Sequence, residues 1–83
     1  MYAAIDNAKR AGGLKGKEAN ELGRMTSSVA AAVDRQDAGA AARAADELLA
    51  RVRKLIRDGD VSGSPADRLL RAAQQLRSSI PTG

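Results

Sequence analysis

The stretch RAGGLKGKEANELGR, residues 10–24, repeats as RDGDVSGSPADRLLR, residues 57–71, at a constant offset of 47. Six of the aligned positions are identical: Arg10/Arg57, Gly12/Gly59, Gly16/Gly63, Ala19/Ala66, Leu22/Leu69 and Arg24/Arg71. The apolar positions around them also agree, Ile5 with Val52, Ala8 with Leu55, Leu14 with Val61, Val29 with Leu76 and Val33 with Ile80. A shared apolar face at a fixed offset is the signature of one structural unit used twice. The fold follows from what that unit is.

Its spacing is helical. Ala19, Leu22, Thr26, Val29 and Val33 step by three and then four, as do Ala66, Leu69, Ala73, Leu76 and Ile80, which lines one face of an α-helix. Ala41, Ala45, Leu48, Val52 and Leu55 keep the same rhythm. Extending the phase of Val33 lands instead on Gln36, Ala40, Arg43 and Glu47, so the stripe breaks and residues 34–39 form a joint. Asp37 is placed to cap the next helix.

Within each unit a glycine ends the first helix. Gly12 and Gly59 sit where a left-handed residue is needed, and Leu14 and Val61 follow two positions later to pack back on the helix end. Ser64-Pro65-Ala66-Asp67 reads as an N-cap, a proline at the first helical position and an acid near the positive helix end. The first copy begins less sharply, with Gly16 as cap and Glu18 in the first turn. These signals predict helices at about 2–11, 17–34, 38–58 and 65–79. The expected fold is all-α: two helix-turn-helix hairpin repeats, about 2–34 and 38–80, packed as a small antiparallel four-helix bundle. The first helix is expected to be short, because the counterpart of residue 38 would fall before Met1. Pro81-Thr82-Gly83 reads as a linker, and the domain is expected to be part of a larger protein.

Composition sets limits. At 83 residues with one aromatic, Tyr2, and no Phe or Trp, the core must be built from Ala, Leu, Val, Ile and Met, which suits close-packed helices better than sheets. Leu22, Val29, Leu48, Val52, Leu55, Leu69 and Leu76 are its expected buried members. The chain has no Cys and no His, hence no thiolate or imidazole for nucleophilic or acid-base work. Gly16-Lys17 is followed by Glu18 and not by Ser or Thr, so it is no phosphate loop. The carboxylates fall at joints and caps, where they satisfy free amides. No enzyme and no cofactor are expected. No apolar run approaches the ~20 residues that span a bilayer, and no broad apolar strip suits membrane insertion.

Asp58-Gly59-Asp60-Val61-Ser62-Gly63 resembles the front of a calcium loop, with Asp58, Asp60 and Ser62 at the first three ligand positions. The position that should supply a bidentate carboxylate is Leu69, and the aligned first copy has Ala11, Gly13 and Lys15 in place of the ligands. The glycines therefore serve the turn, and no metal is expected.

The net charge is +4, which makes an acidic partner conceivable, nucleic acid included. Ten of the fourteen basic residues are Arg and eighteen residues are Ala, a balance also expected from a high-GC genome. Single-strand readers need aromatic platforms, and these are lacking. What remains is a surface. Arg53, Arg57, Arg68 and Arg71 on the third and fourth helices are the candidate contacts for another protein or a cell-surface polymer, because guanidinium groups are enriched where interfaces concentrate energy.

The pattern Gly-x-(Leu/Val)-x-x-x-x-Ala-x-x-Leu is carried by Gly12, Leu14, Ala19, Leu22 and again by Gly59, Val61, Ala66, Leu69. It resembles the FIMAH-like helical repeat modules appended to bacterial secreted hydrolases and to actinobacterial eukaryotic-type serine/threonine kinases. The resemblance implies a non-catalytic accessory domain, sensory or protein-binding, of a membrane-anchored or secreted protein, and an extracytoplasmic location. It assigns no functional residue.

Overall fold

The computed structural model describes residues 1–11 and 13–80. They form four helices: α1 (Tyr2–Arg10), α2 (Gly16–Asp34), α3 (Ala38–Arg57) and α4 (Gly63–Ser78). Each packs against its neighbours in sequence, and α4 closes the ring against α1. Short connections fold every helix back on the one before, giving an up-down-up-down bundle of 36 × 18 × 18 Å.

The repeat is visible in the backbone hydrogen bonds. The Asp58 amide donates to the Lys54 carbonyl at 2.9 Å and the Asp60 amide to the Leu55 carbonyl at 2.9 Å. One repeat earlier, Ala11 donates to Asn7 at 3.0 Å and Gly13 to Ala8 at 3.1 Å. In the second copy Gly59 has φ 80° and its amide reaches the Ile56 carbonyl, which completes a Schellman end. Gly12, expected to do the same in the first copy, lies outside the described residues, as does the expected linker Pro81-Thr82-Gly83. Leu14 and Val61 are buried as the pattern requires. The two turns meet, since a Cβ built on Gly13 would lie 3.4 Å from a Val61 methyl.

The joint between the repeats also ends in a Schellman motif, but without glycine. The Asp37 amide donates to the Ala32 carbonyl and Gln36 to Val33, and Gln36 takes the left-handed position with φ 59°. Asp37 caps α3 as expected, Oδ1 accepting from the Ala40 amide at 3.0 Å. At the start of α2, Glu18 accepts from the Lys15 amide at 3.2 Å. This is half of a capping box, since a lysine side chain cannot accept in return. The start of α4 departs from expectation. The N-cap is Ser62, not Ser64, and its side chain makes no capping bond. Gly63 is left-handed at φ 70°, so right-handed dihedrals begin no earlier than Ser64.

The core divides along the bundle. Near the two glycine turns Ile5, Ala8, Leu22, Leu48, Val52, Leu55 and Leu69 form one buried cluster. At the opposite end Val29, Ala32, Ala41, Ala45 and Ile80 form a second. Among the described residues Thr26 is the buried polar side chain, satisfied by donating to the Leu22 carbonyl at 2.8 Å. Two apolar positions differ from the sequence pattern. Val33 is 53% exposed, Ala32 taking the inward place beside α3, and Leu76 is only half-buried. Both face the side of the bundle that α1, with 9 residues against 20 in α3, does not reach.

Candidate interaction surface

Because α1 and α3 end where α2 and α4 begin, residues 1–25 and 48–72 share the half of the bundle that carries the glycine turns. That half holds eleven basic and six acidic residues, against three basic and four acidic in the rest of the chain. The positive charge of the protein is thus gathered at one end. Lys9 and Arg10 stand in the last turn of α1, Lys54 and Arg57 in that of α3, where they complement the negative pole of each helix.

Arg53, Arg57, Arg68 and Arg71 all lie in this half and are exposed. They do not form one continuous face. Arg53 and Arg57, a turn apart, share the outer side of α3. Arg71 points away from the core on α4, while Arg68 turns toward α1, its Nη1 donating to Asn7 Oδ1 over 3.5 Å. None of the four pairs with a carboxylate among the described residues.

Other arginines are engaged. Arg51 on α3 pairs with Glu21 on α2, and Arg77 on α4 with Asp46 on α3 at 2.6 Å. Arg10 pairs with Asp6 at 3.1 Å within α1. The first two clip neighbouring helices together at partly buried guanidinium groups, whereas exposed i,i+4 pairs such as the third contribute only tenths of a kcal/mol. Arg53, Arg57 and Arg71 thus keep their donors for solvent or a partner, and Arg68 keeps those not aimed at Asn7.

The calcium-like segment is placed at the same end. Asp58 closes α3, Asp60 belongs to the turn and Ser62 precedes α4. Among the described residues no group of three carboxylate, His or Cys side chains comes together as a metal site would require, and among them no helix is long and apolar enough to cross a membrane.

Two of the depressions on the described surface adjoin Tyr2. A broad one of about 810 Å3 runs between α1 and α2 past Tyr2, Asp6, Lys9, Asn20, Arg24 and Ser27. It is open and polar, with charges of both signs. The second, about 380 Å3, lies beyond Met1 between α2 and α4 and is lined by Thr26, Val29, Ala30, Val33 and Leu76, with Asp34 and Ser79 at its edge. Tyr2 stands at the border of both, 55% exposed, its hydroxyl sharing a 2.7 Å hydrogen bond with Ser27 Oγ. Periodicity alone assigns Val33 and Leu76 to a core. The signal that could have placed them at a surface is the repeat itself, in which the first helix has too few residues to cover them.

Compared with family models, curated proteins and solved structures, the chain matches none.

Proposed function

We propose that this chain is a non-catalytic interaction or sensory accessory domain of a larger bacterial protein, for example a serine/threonine kinase. It recognises an acidic surface of another protein, or an acidic cell-surface polymer, through the end that carries the glycine turns. The observation that carries this reading is the set of exposed arginines Arg53, Arg57, Arg68 and Arg71, none paired with a carboxylate among the described residues, on the half of the bundle where basic residues outnumber acidic ones. Guanidinium groups free to donate in pairs suit carboxylate-rich partners.

The test is capture of partners from the source cells by the unaltered domain and by the variant with all four arginines changed to Glu. The reading requires that partners be lost from the variant while its circular dichroism stays helical. Retention of every partner refutes it.

Nucleic acid is the second reading, favoured by the same charge. It predicts affinity that falls steeply as salt rises. Tyr2 is the sole aromatic residue, and one ring does not make the row of base-stacking platforms that single-strand readers use. A gel shift at low salt with micromolar protein decides between the two readings. A complex with duplex or single-stranded DNA supports the second, and its absence leaves the first.

A further inference from the structure

The two copies of the repeat differ in what they place along the outer seam between their helices. In the second copy that seam carries Leu49 and Ile56 on α3 and Leu70 on α4, half-buried and packed against the core. At the offset of 47 their counterparts in the first copy are Tyr2, Lys9 and Gly23, and Gln74 is replaced by the shorter Ser27. These four line the broad cleft between α1 and α2, with buried Ile5 and Ala19 beneath them. The aliphatic bulk that fills the seam in one copy is thus withdrawn in the other, and polar groups stand in its place. Gly23 is the clearest sign. It sits in the middle of α2 without a left-handed φ, and nothing lies within 4 Å of an added Cβ. Neither the backbone nor a close neighbour requires a glycine there, and it weakens the helix relative to alanine.

We propose that this cleft binds a small acidic sugar, a hydroxylated ring bearing one carboxylate or phosphate. Lys9 on α1 and Arg24 on α2 both line it, and neither pairs with a carboxylate among the described residues. Asp6, the acid on its wall, is engaged by Arg10 at 3.1 Å, so the cleft as a whole favours an anion. Asn20 and Ser27, which also line it, both donate and accept hydrogen bonds, as ring hydroxyls require. The Tyr2 ring is 55% exposed and tied by its hydroxyl to Ser27, and it offers an apolar face to the CH groups of a sugar. Tyr2 and Lys9 stand about 10 Å apart along α1 at ~1.5 Å per residue, the span of one sugar ring with its anionic substituent. The depth of the cleft comes from side chains within the repeat, Gly23 foremost, and not from the length of α1. Arg53, Arg57, Arg68 and Arg71 do not line it, so the site goes beyond the reading above and stands or fails without it.

The test is titration of the isotope-labelled 83-residue chain with glucose 6-phosphate and with galacturonate, followed by amide NMR shifts. A ligand of this size in an open site binds weakly, with Kd on the order of 1 mM. Saturable shifts are expected at Asp6, Lys9, Asn20, Gly23 and Arg24 with at least one of the two sugars, and the tighter one tells phosphate from carboxylate. Gly23→Leu installs the residue of the second copy. It should abolish the shifts while raising the melting temperature, a pair of effects that loss of the fold would not give. Lys9→Ala together with Arg24→Ala should weaken binding at least ~tenfold. Changing Arg53, Arg57, Arg68 and Arg71 to Glu should leave saturable binding in place. Four results would overturn the proposal. They are absence of saturable shifts with either sugar at tens of millimolar, equal affinity for neutral glucose, the same affinity for inorganic phosphate alone, and binding that survives Gly23→Leu.

Discussion

Leu69→Ala probes the place where the two repeats share their interior. Leu69 is fully buried in the cluster with Leu22, Leu48, Val52 and Leu55. The substitution removes the equivalent of three methylene groups, about 2.4 kcal/mol of transfer free energy at ~0.8 kcal/mol each. The cavity adds to this, because helices clipped by Glu21–Arg51 and Asp46–Arg77 collapse only partly around it. A total of about 3–4 kcal/mol is expected. Domains of this size have roughly 4–12 kcal/mol in all, at ~0.05–0.15 kcal/mol per residue. Urea unfolding followed by ellipticity at 222 nm suits a chain without tryptophan, and with a slope of ~1 kcal/mol/M the midpoint should fall by about 3 M. Leu22→Ala, at the equivalent fully buried position, should cost a similar amount. Leu76→Ala, at a half-buried position facing the depression beyond Met1, should cost about 1–2 kcal/mol. A loss under ~1 kcal/mol at Leu69, or a greater loss at Leu76 than at Leu69, would refute this account of the core.

Three further outcomes are expected. Gln36→Gly should raise stability by about 0.5–1 kcal/mol, since the left-handed φ of 59° is strained for glutamine and free for glycine; thermal melting is the measurement. Gly59→Ala should lose about 1 kcal/mol: φ there is 80°, yet nothing lies within 4 Å of an added Cβ, so the cost is conformational and not steric. Millimolar calcium should leave the melting temperature unchanged in both the parent and Asp60→Ala, because binding to the folded state alone would raise it.

The helices and turns were legible in the sequence because each rests on local chemistry. Gly59 marked the turn after α3, Asp37 marked the start of α3, and the Ala41 to Leu55 stripe is buried throughout. Gln36 was not legible, since nothing in a glutamine announces a left-handed residue and the bonds to Ala32 and Val33 are what hold it there. Ser64 reads as a cap because its proline follows directly, whereas α4 has its N-cap at Ser62 and is entered through left-handed Gly63. Periodicity tells which side of its own helix Val33 occupies, not whether another helix stands opposite. Likewise the pairing of Arg51 and Arg77 with carboxylates 30 and 31 residues away depends on helix packing. That pairing separates them from Arg53, Arg57 and Arg71. Arg68, reaching toward Asn7, shows that the four candidates share an end of the bundle and not a single face.

The most direct measurement of the functional proposal is amide hydrogen exchange of the domain alone and in complex with a captured partner. The account predicts slowed exchange where α3 ends and α4 begins, around Arg53, Arg57 and Arg71, with the far ends of α2 and α3 unchanged. A partner bound with no protection in residues 53–71 would contradict it.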